Sequence, residues 1–452
     1  MIQGTTQKSF TEVIKSASPY TPGKTLDTIA TTAGDTMLAP AAVNTLDLDS
    51  MTIAEQHFRD FLSTETSTGV REQAQAAIIQ NRLAEVALIR ACHGQVTGES
   101  DNSAEIHELQ KALYGHYSPA LFRAALRKKV ELLEATSVSQ DLEVTKAQLL
   151  DELDVYASPG ELETEKMELE QPSAETLQAI GDWIHGQFED IFDEIDAIDG
   201  DELDAEQLVD VLNMAIDTTT ALRSNGWRAK VIQRNKNAVS VFASDRETIV
   251  PSQRRVTKTG AKKLVVHEVF GHALRSGIAE TNGDDIGTTG TATYGEFEES
   301  LEIALEQCLD GVYNPRRGLD HYITIGLAET AGLSRDKIAQ LTRSMRQITL
   351  AVNGLTPEKI QRADVLAEGQ IRRTFAGLTD VDDGVTHRKD INYLHGLNGA
   401  WKLLNAIVEA DEVDEGMRWL LSAKFNPFDE TDRQLVGQYA KMPPSIKEAL
   451  EI

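Results

Sequence analysis

Residues 262–277, KKLVVHEVFGHALRSG, place the sharpest constraint on the fold of this chain, because they carry His267, Glu268 and His272 within six positions. Histidines at i and i+4 lie about 40° apart around an ideal α-helix, whereas at i and i+5 they lie about 140° apart. His267 and His272 are five apart, so they can share a metal only where the helix is locally widened. A π-type turn beside Gly271 would supply that extra residue. The lead-in LVV marks a buried segment, where a carboxylate such as Glu268 needs a metal, a proton or hydrogen bonds to match its charge. The competing reading is an amphipathic helix with two partly buried histidines and a surface glutamate.

A catalytic zinc needs three protein ligands, an open position and a carboxylate to take a proton from water. His267 and His272 supply two ligands and Glu268 the base. The downstream stretch YGEFEESLEIALEQ offers Glu296, Glu298, Glu299 and Glu302 for the third, of which one or two can face inward. Cysteine is no competitor: Cys92 and Cys308 are the only two and lie far apart, so any metal falls to histidine and carboxylate.

The rest of the chain narrows the function classes. Its 44 Lys and Arg stand against 72 Asp and Glu, a formal net charge of −28 that repels nucleic acid and anionic lipid. There is no apolar run of about 18 residues and no signal-like leader, which reads as a cytoplasmic protein with no membrane partner. The 452 residues suit two or three domains. Residues 1–50, rich in Thr, Ser, Ala and Gly, read as a loosely ordered extension. Residues 51–170 read as a helical region, with Ser118 and Pro119 as an N-cap and first-turn proline. Residues 171–452 read as the catalytic domain, with strands at WRAKVIQ, AVSVFAS and ETIVP. Residues 223–263 hold eleven Lys or Arg against Asp245 and Glu247, either a dock for an acidic substrate or a solvated face.

HEVFGHALR resembles the HEIGTH-Leu-Arg motif of the MATCAP-like tyrosine carboxypeptidases, which share a domain with bacterial flavohemoglobin expression-modulating QEGLP-motif proteins. EESLE is similar to that family's T/Q-E-G-L element, RTFAG (373–377) to R-x-F-R-G, and KDINYLHGL (389–397) to K-D-x-x-Y-L-x-G-L. A weaker likeness joins LYGHYSP (113–119) to a Y-G-x-P element, so the resemblance spans about residues 100–425. Three positions depart from the pattern: Ser300 for Gly, Ala376 for Arg and Gly271 for Thr.

The resemblance implies an α+β, predominantly helical fold: a gluzincin-like metallopeptidase core, a small β-sheet beside the HExxxH helix, and an N-terminal helical region. It implies one zinc per chain on His267, His272 and Glu299, with Glu268 as general base, in a carboxypeptidase acting on a peptide or protein. An acidic C-terminal tail on that substrate would suit residues 223–263. Tyr393 and Lys389 are catalytic candidates for the oxyanion or a substrate carboxylate, although Lys389 could instead pair with Asp390 or another acid. Arg275, Arg373 and His387 are candidates for substrate binding. Two other outcomes stay open: a binding or regulatory protein without turnover, and a metal-dependent amidase acting on small molecules.

Overall fold

Apolar residues recurring every three or four positions make most of the chain helical, and three short β-branched runs make a small sheet. The structure, a computed structural model, describes residues 10, 13–14, 47–64, 69–99, 102–115, 117–158, 167–234, 238–352, 354–376, 378 and 384–451. The expected extension, residues 1–50, lies outside the described residues apart from Phe10, Val13, Ile14 and residues 47–50. Among the described residues no helix is long and apolar enough to cross a membrane.

The chain divides into two units. The first comprises residues 1–66, 78–169 and 315–394, and the second residues 67–77, 170–314 and 395–452. The domain expected over 171–452 is therefore interrupted, because residues 315–394 join the helical region. The physical reason is a shared core. Helices Leu319–Glu329 and Arg335–Leu350 pack on Pro119–Glu134 and Gln140–Ala157, around Phe122, Leu126, Tyr322, Ile323, Ile338 and Met345. At its edge the ammonium of Lys129, 3% exposed, meets Asp320 at 2.8 Å, and Arg346 reaches the same carboxylate at 2.9 Å. A lysine buried without that partner would cost several kcal/mol, roughly 3–5, so the segment that carries Asp320 is held where Lys129 lies. Ser118 accepts from the N–H of Leu121 at 3.2 Å with Pro119 in the first turn, the cap that the sequence predicts.

In the second unit, strands β1 (Glu202–Leu203), β2 (Arg228–Ile232), β3 (Ser240–Phe242), β4 (Glu247–Pro251) and β5 (Val256–Thr257) form two small sheets. β4 lies between a parallel β2, with Ala229 opposite Thr248, and an antiparallel β3, with Val241 opposite Thr248. β1 and β5 pair antiparallel and are too short to show in a sequence pattern. Helix Ala205–Thr218 starts at a capping box of Asp204 and Gln207. Its Asn213 bonds both the N–H and the carbonyl of Ala229, which fixes the sheet against that helix. β3, β4 and this helix all pack against the segment that carries His267 and His272. Helix Ala174–Ala197 and helix Glu298–Asp310 complete the core, where Phe188, Ile191, Val265, Val269, Leu301 and Leu305 meet.

Candidate metal centre

The side chain of Thr257 caps the helical run at the N–H of Gly260, and the run then changes type twice. It is α-helical over Lys258–Leu264, π-helical over Val265–Ala273 and α-helical again over Leu274–Thr281. The N–H of Leu274 bonds the carbonyl of Val269, five residues back. In such a turn, residues five apart take the places that residues four apart hold in an α-helix. The rings of His267 and His272 consequently sit 5.0 Å apart, centroid to centroid, at 78°. Gly271 makes room for this arrangement: a β-carbon there would stand 2.3 Å from Cγ of Glu302.

His267, His272 and Glu299 bring one ligand atom each within 4.8 Å of one another. Helix Glu298–Asp310 supports them through three further glutamates, Glu298, Glu302 and Glu306, spaced i, i+4, i+8 along one face. Nδ1 of His267 donates to Glu306 at 2.7 Å, and Nδ1 of His272 donates to Glu298 at 3.0 Å. When the ring is neutral, each bond places its proton on Nδ1 and leaves Nε2 open, the carboxylate–histidine arrangement common at zinc sites. Nε2 of His272 lies 3.8 Å from Glu299.

The charges agree with this assignment. Glu298 is buried beside Lys424 at 2.8 Å; burial pushes its carboxyl up, but Lys424 and His272 hold it well below the usual range. Burial lowers His267, yet its bond to Glu306 and the charges of Glu268 and Glu302 hold it up at about 9. His272 is likewise pushed down by burial and raised above its ordinary value by Glu298 and Glu302. Glu302 is fully buried, its Oε1 3.4 Å from Arg275 and its Oε2 without a hydrogen-bond partner among the described residues. Carboxylates thus exceed fixed cations around the two imidazoles, and His267, His272 and Glu299 form a set that could hold a metal ion. Glu306→Gln should weaken zinc binding about 10- to 100-fold in a chelator-competition titration. An unchanged affinity would mean that the Nδ1 bond does not position His267.

The other candidates fall in varied places. Glu268 is 8% exposed, and its charge acts on the neighbouring His267. Arg275, read from the sequence as a substrate-binding candidate, has no exposed surface. It donates to the carbonyls of Ala423 at 2.8 Å and Phe425 at 3.2 Å, so it ties that segment to Glu302. Lys389, Tyr393, Arg373 and His387 belong to the first unit, so they are not among the side chains that the second unit gathers. Arg373 grips Asp390 with two bonds of 2.7 and 2.6 Å, which takes the partner foreseen for Lys389, and Lys389 is exposed. His387 is a core residue: its Nδ1 accepts from Gln110 at 3.1 Å, its ring stands edge-on to Tyr114, and burial pushes its pKa down to about 4.

Of the residues that depart from the family pattern, Ser300 is buried against Gly396, where a β-carbon would come 2.1 Å from the Glu296 carbonyl. Ala376 is buried in the helical unit, and Gly377 of the same element lies outside the described residues. Residues 223–263 are less cationic than they read. Lys230 and Arg228 pair with Glu247, Arg246 with Glu280, Lys262 with Asp196 and Lys263 with Asp310.

Glu306 and Lys424 were not foreseen. The i, i+8 spacing from Glu298 marks Glu306 in hindsight, whereas Lys424 arrives from over a hundred residues away without a local signal. The segment that carries it is anchored by Asp432, which accepts from the N–H of Asn426 at 2.9 Å and from Thr291. Burial pushes Asp432 up to about 7, with Asp429 and Glu296 adding to the rise. The folded state therefore holds a proton that the unfolded carboxyl releases near pH 4. Stability should fall from about pH 4 to about pH 7 on this account, and Asp432→Asn should flatten that slope in urea titrations across the range. No protein-family model, characterised protein or solved structure matches the chain in the three comparisons made.

Proposed function

We propose that this chain is a zinc-dependent metallopeptidase of carboxypeptidase type, related to the MATCAP-like tyrosine carboxypeptidases and working in the cytoplasm. The observation that carries the reading is the π-turn that brings His267 and His272 together with Glu299 while Glu306 and Glu298 hold their Nδ1 atoms. Two unpaired, buried cysteines suit a reducing compartment.

A zinc ion on His267, His272 and Glu299 would supply Lewis acidity at a scissile carbonyl and make water more acidic. Glu268 takes a proton from the attacking water and returns it to the nitrogen of the leaving amine as the C–N bond breaks. Glu306 and Glu298 accept from the two imidazoles throughout, so neither ring can turn its Nε2 away. Lys424 keeps Glu298 ionised in that role. Five of the eleven Lys and Arg of residues 223–263 stand in ion pairs, so the reading does not rest on an acidic tail on the substrate.

Metal analysis by plasma mass spectrometry tests the reading directly. About one zinc per chain is expected in the purified protein, and His272→Ala should abolish it. A folded, chelator-free preparation that takes up no added zinc would exclude the proposed chemistry.

A further inference from the structure

The second unit has a recess of about 300 Å³ that none of the metal-centre residues lines. Its size is at the lower end for small-molecule sites. The floor is apolar: Phe188, Phe270, Leu274 and Leu421 are all buried. Trp183 forms one wall, its ring 5.4 Å from that of Phe270, and Phe188 meets Phe270 edge-on at 5.1 Å. Helix Ala174–Ala197 breaks at Phe188, whose φ of −130° and ψ of 21° are not helical, and the break shapes this side of the recess.

The rim is built as well. Asp414 accepts from the indole N–H of Trp183 at 3.1 Å and from Nε of Arg418 at 2.7 Å, so one carboxylate sets the ring and the guanidinium side by side. That bond uses Nε, and no hydrogen bond to the terminal nitrogens of Arg418 occurs among the described residues, although Glu415 adds a second negative charge near the guanidinium. The floor is aromatic, Gln187 and Thr218–Thr220 line the rest with polar groups, and Arg418 is the cation at the rim, a setting that suits a flat ring carrying an acid group.

We infer that this recess is a binding site for a small aromatic carboxylate, its ring packed against Phe270 and Trp183 and its carboxylate on the terminal nitrogens of Arg418. The site does not depend on the proposed peptidase reaction, and it places a ligand against Phe270 and Leu274, within and just after the π-turn.

The test is calorimetric titration of the full chain with 3-phenylpropionate and with its neutral amide, before and after treatment with EDTA. The acid should bind about three- to five-fold more tightly than the amide, the difference that a partly exposed Arg–carboxylate pair gives. Arg418→Ala, a surface change, should erase that preference and leave the amide unaffected. Ala221→Phe, which fills the recess, should abolish binding of both, with circular dichroism confirming the fold. Binding that vanishes with EDTA would put the carboxylate on the metal and overturn the assignment. Equal binding of acid and amide to the wild type, or undiminished binding to folded Ala221→Phe, would overturn it too.

Discussion

Glu268→Gln should cost about 10²- to 10⁴-fold in the rate of peptide hydrolysis while the protein keeps its zinc, because a positioned general base is worth about that much. Glutamine has the size of glutamate, so the core around Val265, Val266 and Val269 stays packed, but an amide cannot take a proton from water. Glu268 lies outside the ligand trio, so metal content should stay at the wild-type value. The measurement pairs metal analysis with mass-spectrometric cleavage of a mixed peptide pool. A variant that cleaves as fast as the wild type would remove Glu268 from the mechanism. If the wild type itself cleaves nothing and the variant keeps every cellular phenotype, the fold is a binding scaffold that holds a metal without turnover.

Spacing reveals part of this site, and only packing decides the rest. His267 and His272 at i, i+5 with Gly271 between them require a widened turn if they are to meet, and the π-helical segment over Val265–Ala273 is that turn. The cap at Ser118 and the strands around Ala229, Val241 and Ile249 were also legible, since capping chemistry and β-branched runs act locally. Spacing alone did not choose among the glutamates; Glu299 came from the family resemblance. The sequence offers Glu296, Glu298, Glu299 and Glu302, of which Glu296 lies just before the helix, and the roles of the rest depend on a fraction of a turn: Glu299 approaches Nε2 of His272, while Glu298 and the unforeseen Glu306 reach the Nδ1 atoms. The interrupted second unit was hidden for a related reason. Lys129 and Asp320 are almost two hundred residues apart, and nothing in the neighbourhood of either announces the pair.

Gly271→Ala should destabilise the fold by about 1–3 kcal/mol and strip the metal, although alanine is normally the better helix former by about 1 kcal/mol. The sign is set by space. The new β-carbon would lie 2.3 Å from Cγ and 2.8 Å from Oε1 of Glu302, and Glu302 cannot swing aside because it is fully buried beside Arg275. Relief must come from moving helix Glu298–Asp310 away or unwinding the π-turn, and either motion separates Glu299 from His272. Urea unfolding combined with chelator-competition titration measures both effects in one preparation. A double-mutant cycle then locates the cause. Glu302→Ala alone should be destabilising, since it leaves Arg275 buried without its carboxylate, but in that background Gly271→Ala should lose its cost and regain the gain of a better helix former. A single Gly271→Ala protein with wild-type stability and one bound zinc would show that the turn tolerates a side chain there and that Glu302 does not hold it open.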